Sequence, residues 1–141
     1  MGYTHYFQLH EEIEPKNWAT FTHHVKELVN EAWDIATEGE INEEVLVLNG
    51  VGAESHETLF ISRTNTKWEF CKTNRKPYDE LVTAILILAR YMFPSISVSS
   101  DGSWEEWREG RELFTGVMFL EPAEQTVFGN QDHNYTIKEL I

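Results

Sequence analysis

Apolar positions along the chain change period several times, and each change marks an element. Residues 4–9 are aromatic and β-branched and read as a short strand. Pro15 then opens a helix at the first-turn position, where its missing N–H does no harm. Trp18, Phe21, Val25, Leu28, Val29, Ala32 and Ile35 follow at helical spacing, and Gly39 closes the run. Strands are expected at residues 44–49, 57–63 and 68–73, the first ended by Asn49, Gly50, Val51 and Gly52. Thr64, Asn65 and Thr66 join the last two. A second helix begins near Pro77 and runs to about Met92; it is apolar nearly all round, which predicts the central helix of the domain. Pro94 ends it, and residues 95–99 give another strand, stopped by the Asp101-Gly102 turn. A third helix is expected over residues 103–114, carrying Trp104, Trp107 and Leu113. From Glu121 the pattern fades into loop, with residues 135–141 a last strand or docked tail.

The order β-α-β-β-β-α-β-α predicts an α+β protein, a two-layer sandwich of an antiparallel or mixed sheet with about three helices, loosely ferredoxin-like. A length of 141 residues fits one domain spanning 1–141, with 121–141 a C-terminal extension. Apolar content of 41% argues for a packed globule. The longest apolar run, residues 81–93, is far shorter than the roughly 20 residues a membrane helix needs. The first residues have neither the basic start nor the apolar stretch of a signal peptide. Cys71 is the single cysteine, so no intrachain disulfide forms. A cytoplasmic location without membrane association is the expectation.

Charge then narrows the function. At a net −13, the chain repels polymeric nucleic acid and anionic lipid, which speaks against a general nucleic-acid surface. Yet Lys67, Lys72, Arg75 and Lys76 crowd one short segment. There the chain leaves a strand, turns, and opens a helix at Pro77, whose N-terminal N–H groups and dipole favour anions. Lys72, Arg75 and Lys76 are therefore candidate phosphate or carboxylate ligands, with Tyr78 adding a hydroxyl or a stacking face. The competing reading is a solvated basic loop paired with neighbouring Asp and Glu. A second loop, from Asn49 to Thr58, carries His56-Glu57-Thr58. A His-x-Thr is half of what two-histidine phosphoesterases use as acid and base, but the second motif is missing, since Tyr-Phe follows His5 and Asn-Tyr follows His133. On the first strand Tyr3, His5 and Phe7 share one face while Thr4 and Tyr6 share the other, and alternation does not say which is core. Asp101 is a hydrogen-bonding candidate or simple turn chemistry, and Trp104 either roofs a pocket or packs a helix. Cys71 reads as inert packing. His23 and His24 lie beside core positions of the first helix as partly exposed bystanders, and His10 and His133 as loop residues. No metal site or cofactor is expected, since there is no cysteine pair and no zinc-type histidine spacing.

Taken together, Gly2-Tyr3-Thr4-His5-Tyr6, Asn49-Gly50-Val51-Gly52, Ser55-His56-Glu57-Thr58, Phe70-Cys71-Lys72-Thr73, Arg75-Lys76-Pro77-Tyr78-Asp79 and Ser99-Ser100-Asp101-Gly102 with Trp104 resemble a group of small bacteriophage- and prophage-encoded proteins. The resemblance covers roughly residues 2–107 and brings no established activity with it. It implies expression in the cytoplasm of a bacterial host and action on that host, including its defences. The leading expectation is a counter-defence protein that sequesters a small anionic nucleotide signal, such as a cyclic oligonucleotide or an ADP-ribose derivative. Lys72, Arg75 and Lys76 would hold phosphate; Tyr78, Tyr6 or Trp104 would stack on a base; Asn49, His56 and Asp101 would hydrogen-bond base or ribose. A homo-oligomer sharing sites across its interface would suit sequestration. One alternative is a phosphodiesterase using His56 and His5. Another is an acidic inhibitor that docks on a host nuclease or defence protein.

Overall fold

A computed structural model describes residues 2–129, so the expectation for residues 135–141 lies outside the described residues. The order is β1 (Thr4–Leu9), α1 (Pro15–Glu31), β2 (Thr37–Ile41), β3 (Val45–Asn49), β4 (Leu59–Ser62), β5 (Glu69–Lys72), α2 (Asp79–Met92), β6 (Ile96–Ser100), α3 (Arg108–Met118) and α4 (Glu124–Phe128). This is the expected α+β class. The strands divide into two antiparallel three-stranded sheets, β5-β1-β6 and β2-β3-β4, which lie against each other where β4 meets β5.

Strands β1, β3, β4, β5 and β6 are half-buried, so alternation decides what faces the helices. The inward side chains are His5, Phe7 and Leu9 on β1 and Tyr3 just before it, while Tyr6 and Gln8 are partly exposed. Leu46, Leu48, Leu59 and Ile61 do the same for the second sheet. Phe7 and Leu9 join these four in one core with Trp18, Phe21, Val25 and Leu28 of α1. At its centre lies α2, where every side chain from Leu81 to Met92 is buried. Such a helix has no solvent face because α1, α3, α4 and β6 surround it.

Three boundaries differ from the sequence reading. Helix α1 ends at Glu31, capped by the Ala32 N–H donating to the Leu28 carbonyl, and the chain continues into β2. There Gly39 sits at an irregular register between Glu38 and Glu40, where a β-carbon would lie 2.9 Å from the Val47 carbonyl oxygen. The glycine read as a helix stop is thus a strand irregularity. Ser103 to Trp107 forms a tight turn before α3, closed by Ser103 N–H donating to Glu106 and Glu106 N–H donating to Ser103, a reciprocal box with the Ser-x-x-Glu spacing. Helix α4, read as loop, packs Val127 into the core and Phe128 edge-on against Trp104 and Trp107.

The two glycines of α3 give opposing predictions. A β-carbon at Gly110 would overlap Thr83 on α2, whereas Gly116 faces open space. Gly110→Ala is expected to lose about 1–3 kcal/mol by overpacking, and Gly116→Ala to gain up to about 1 kcal/mol of helix propensity. Urea unfolding of the two variants measures both signs.

Candidate functional site

Strand β1 separates two places where chemistry gathers. On its inner side, His5 is fully buried, with Tyr3 and Trp107 each edge-on to its ring at centroid distances of 5.1 Å. Its Nδ1 is 2.7 Å from Ser100 Oγ and its Nε2 2.5 Å from Asp79 Oδ1. Ser100 Oγ already accepts from the Gly102 N–H at 2.8 Å and the Trp107 indole N–H at 3.1 Å. A hydroxyl has two acceptor lone pairs and one proton, so the Ser100 proton goes to His5 Nδ1 and the His5 Nε2–H donates to Asp79. The Thr73 hydroxyl donates to the same Asp79 oxygen at 2.6 Å. In outline this is a Ser-His-Asp array, but the Ser100 oxygen has no free lone pair and the imidazole no exposed edge. It serves as a lock joining β1, β6 and the first turn of α2.

Beside the lock opens a small polar cleft of about 170 Å³, lined by Tyr3, Arg75, Lys76, Asp79, Glu80, Glu106 and Glu109 among others. Arg75 pairs with Glu106 at 2.8 Å and lies 4.0 Å over the Tyr3 ring. The Ser103 N–H, with Arg75 after it, holds Glu106 below the usual carboxylate range. Glu80 is raised, first by burial and then by the Glu109 charge beside it. Burial, followed by the Asp79 and Glu106 charges, pushes the Tyr3 phenol up to about 12. The N–H groups at the start of α2 do not face an anion: those of Asp79, Glu80, Leu81 and Val82 donate to the carbonyls of Lys76, Pro77, Tyr78 and Tyr78. With carboxylates outnumbering Arg75 and Lys76, the cleft does not form the phosphate cradle expected there. Asn74 and Arg75 have φ of 53° and 60°, a strained backbone for an arginine.

The outer side of the same sheet is different. Strand register puts Tyr6 opposite Phe70 and Ser99, and Thr4 opposite Lys72. Trp68, Phe70 and Lys72 alternate along β5 and its approach, with Trp68 55% and Phe70 48% exposed. Tyr6 stacks on Trp68 at 5.5 Å and 22°, and Trp68 meets Phe70 at 5.3 Å. Asp101 fixes the tip of Tyr6 by accepting its hydroxyl at 3.1 Å, and accepts the Thr4 N–H through its other oxygen. Partial burial and this hydrogen bond raise the Tyr6 phenol. Ser97 and Ser99 belong to a shallow depression with Tyr6, Trp68 and Phe128.

Of the candidates read from sequence, Tyr6, Lys72 and Asp101 therefore share one face, while Arg75 and Lys76 line the cleft on the other. Tyr78 is fully buried and donates to the Glu57 carbonyl at 2.5 Å, so it has no stacking face to offer. Asn49 is occupied in shaping its loop, accepting the Gly50 and His56 N–H groups and donating to the His56 carbonyl and Thr58 hydroxyl. His56 is exposed on that loop, and His5 is sealed in the core. Trp104 packs beneath Arg111 and against Phe128 rather than beside Tyr6. Asp79 and Ser100, the partners of His5, and Trp68 and Phe70, the bulk of the aromatic face, were not singled out from sequence. Period-2 alternation holds the second pair once Cys71 is known to point inward.

Comparison with family models, curated protein sequences and solved structures finds no match. Among the described residues no helix is long and apolar enough to cross a membrane.

Three outcomes follow from the inner side. Ser100→Ala leaves the Trp107 and Gly102 N–H groups and His5 Nδ1 without partners, at about 1–3 kcal/mol for each buried group left unsatisfied, so chemical denaturation should show a loss of about 2 kcal/mol or more. A fluorophosphonate probe should leave Ser100 unlabelled; labelling would establish a nucleophile. Burial, with the Glu57 charge after it, also pushes the Cys71 thiol up to about 12. Alkylation of the folded protein should therefore not accelerate across the ordinary thiol range near pH 8–9, and should appear only with denaturant.

Proposed function

We propose that the protein binds a small nucleotide on the outer face of the β5-β1-β6 sheet, stacking a base on Tyr6, Trp68 and Phe70 with a phosphate on Lys72. The supporting observation is the continuous row of three partly exposed rings on one sheet face, bordered by a lysine, an aspartate and serine hydroxyls. Aromatic side chains on an uncovered sheet are a general way to hold unpaired bases, and stacking contributes about 1–3 kcal/mol per base. The net charge of −13 selects against a long polyanion and tolerates a ligand of few phosphates. The resemblance to phage-encoded proteins supplies the setting: a nucleotide signal of host defence, such as a cyclic oligonucleotide or ADP-ribose derivative, held without turnover. Sequestration is favoured over phosphodiester cleavage because His5 has both ring nitrogens engaged inside the core. A host protein docking on the same rings is the second reading, supported by the exposure of Trp68 and Phe70.

The test incubates purified protein with a pooled panel of cyclic nucleotides and ADP-ribose derivatives, then desalts, denatures and identifies what was retained by mass spectrometry. An intact nucleotide is expected in the wild type. Trp68→Ala and Tyr6→Ala are each expected to weaken its binding about tenfold, Lys72→Ala to weaken it as well, and Arg75→Ala to leave it unchanged. Equal retention by a Trp68→Ala, Lys72→Ala double variant would sink the assignment of this face. Consumption of a nucleotide into linear product would restore the enzyme, and a protein captured with no nucleotide would favour docking.

A further inference from the structure

Helix α1 carries a group of side chains that neither the lock nor the aromatic face uses. His23, His24 and Glu27 each offer one donor atom, and the three atoms lie within 4.8 Å of one another. The spacing explains the convergence: Glu27 is one turn from both histidines, at i+4 and i+3. His24 Nδ1 is 2.6 Å from Glu27 Oε1, and the two imidazole rings stand 5.2 Å apart at 67°. The histidines are not equivalent. His24 is 8% exposed, so packing holds its ring in place, whereas His23 and Glu27 are exposed and free to adjust.

We propose that His23, His24 and Glu27 bind a first-row transition cation, Zn²⁺ above all, with water completing the coordination. Two imidazole nitrogens and one carboxylate oxygen form the borderline donor set that suits Zn²⁺, Ni²⁺ or Cu²⁺, and they offer too few oxygens for Ca²⁺ or Mg²⁺. The cation takes the place of the hydrogen now between His24 Nδ1 and Glu27, and the neutral imidazole keeps its one proton on Nε2. One anchored ligand and two adjustable ones let the distances close to about 2.0–2.2 Å by side-chain movement alone. The far nitrogen of His24, Nε2, is buried without a hydrogen-bond partner. Metal-bound imidazoles gain affinity from such a partner, so this site is expected to bind at micromolar rather than nanomolar concentration. Because all three ligands belong to one helix, the ion staples adjacent turns of α1 and binds the folded chain in preference to the unfolded one.

Zinc affinity is measured on the metal-free full chain by competition with a chromophoric chelator, and the thermal midpoint is followed with and without zinc. The wild type should bind one Zn²⁺ per chain, unfold at a higher temperature in its presence, and be indifferent to excess Mg²⁺. His23→Ala and Glu27→Gln change exposed side chains and leave the fold intact; each should weaken zinc by about tenfold or more and abolish the thermal shift. Zinc bound by the His23→Ala, Glu27→Gln double variant as tightly as by the wild type would overturn the assignment in favour of other histidines. A wild type with no stoichiometric site would overturn it outright.

Discussion

The fold depends on a histidine placed where water does not reach. His5 stands near the start of β1, the central strand of its sheet, and each of its nitrogens reaches a different element: Ser100 on β6 and Asp79 on α2. A buried imidazole lacking either partner would be costly. The core therefore admits only the arrangement that brings the end of β6 and the start of α2 to the same strand. Trp107 extends the constraint to the turn before α3 by donating to Ser100, and Thr73 extends it to the loop after β5 by donating to Asp79. Hydrophobic packing around α2 supplies the bulk of the driving force, but it is tolerant of register. The polar chain through His5 is not.

That division of labour also separates stability from binding. Of the side chains of β1, inward His5 belongs to the lock and inward Phe7 and Leu9 to the apolar core, while Tyr6 points outward to the aromatic face. Asp101 connects them: its backbone N–H donates to the Thr4 carbonyl, while its carboxylate receives the Thr4 N–H and the Tyr6 hydroxyl. Tyr6 is therefore aimed by the same turn that closes the lock. A ligand on the outer face would meet rings whose positions are set by the core behind them, which reduces the ordering that binding requires.

Much of the fold was legible because its signals are local. Pro15 before a 3.6-period run, an all-apolar stretch ending at Pro94, and alternation in β1 and β3 need no knowledge of the rest of the chain. Helix α4 was missed because five residues carry too little periodicity, and β2 because Gly39 and its flanking charges read as a helix end. At the site, sequence spacing suggested that Lys72, Arg75 and Lys76 act together. Strand pleating sends Lys72 outward, while the left-handed turn at Asn74 and Arg75 carries Arg75 to the other side and onto Tyr3. His5 was singled out, yet its partners lie 74 and 95 positions away in the chain. No local pattern encodes that convergence, although the quoted segments around Tyr3, Thr73, Asp79 and Ser100 turn out to meet there.

The Tyr78 hydroxyl and the Cys71 thiol both reach the carbonyl of Glu57, and that residue does something further at the margin of the sheet. Its backbone N–H donates to the Lys72 carbonyl, and its carboxylate accepts the Lys72 N–H at 2.7 Å. One residue thus imitates a neighbouring strand and occupies the hydrogen-bonding groups at the end of β5. An extended segment from another molecule finds the Lys72 N–H and carbonyl already engaged, so strand addition cannot begin at this end of β5. The exposed rings of Trp68 and Phe70 thus stand next to a strand end whose backbone is already satisfied within the chain.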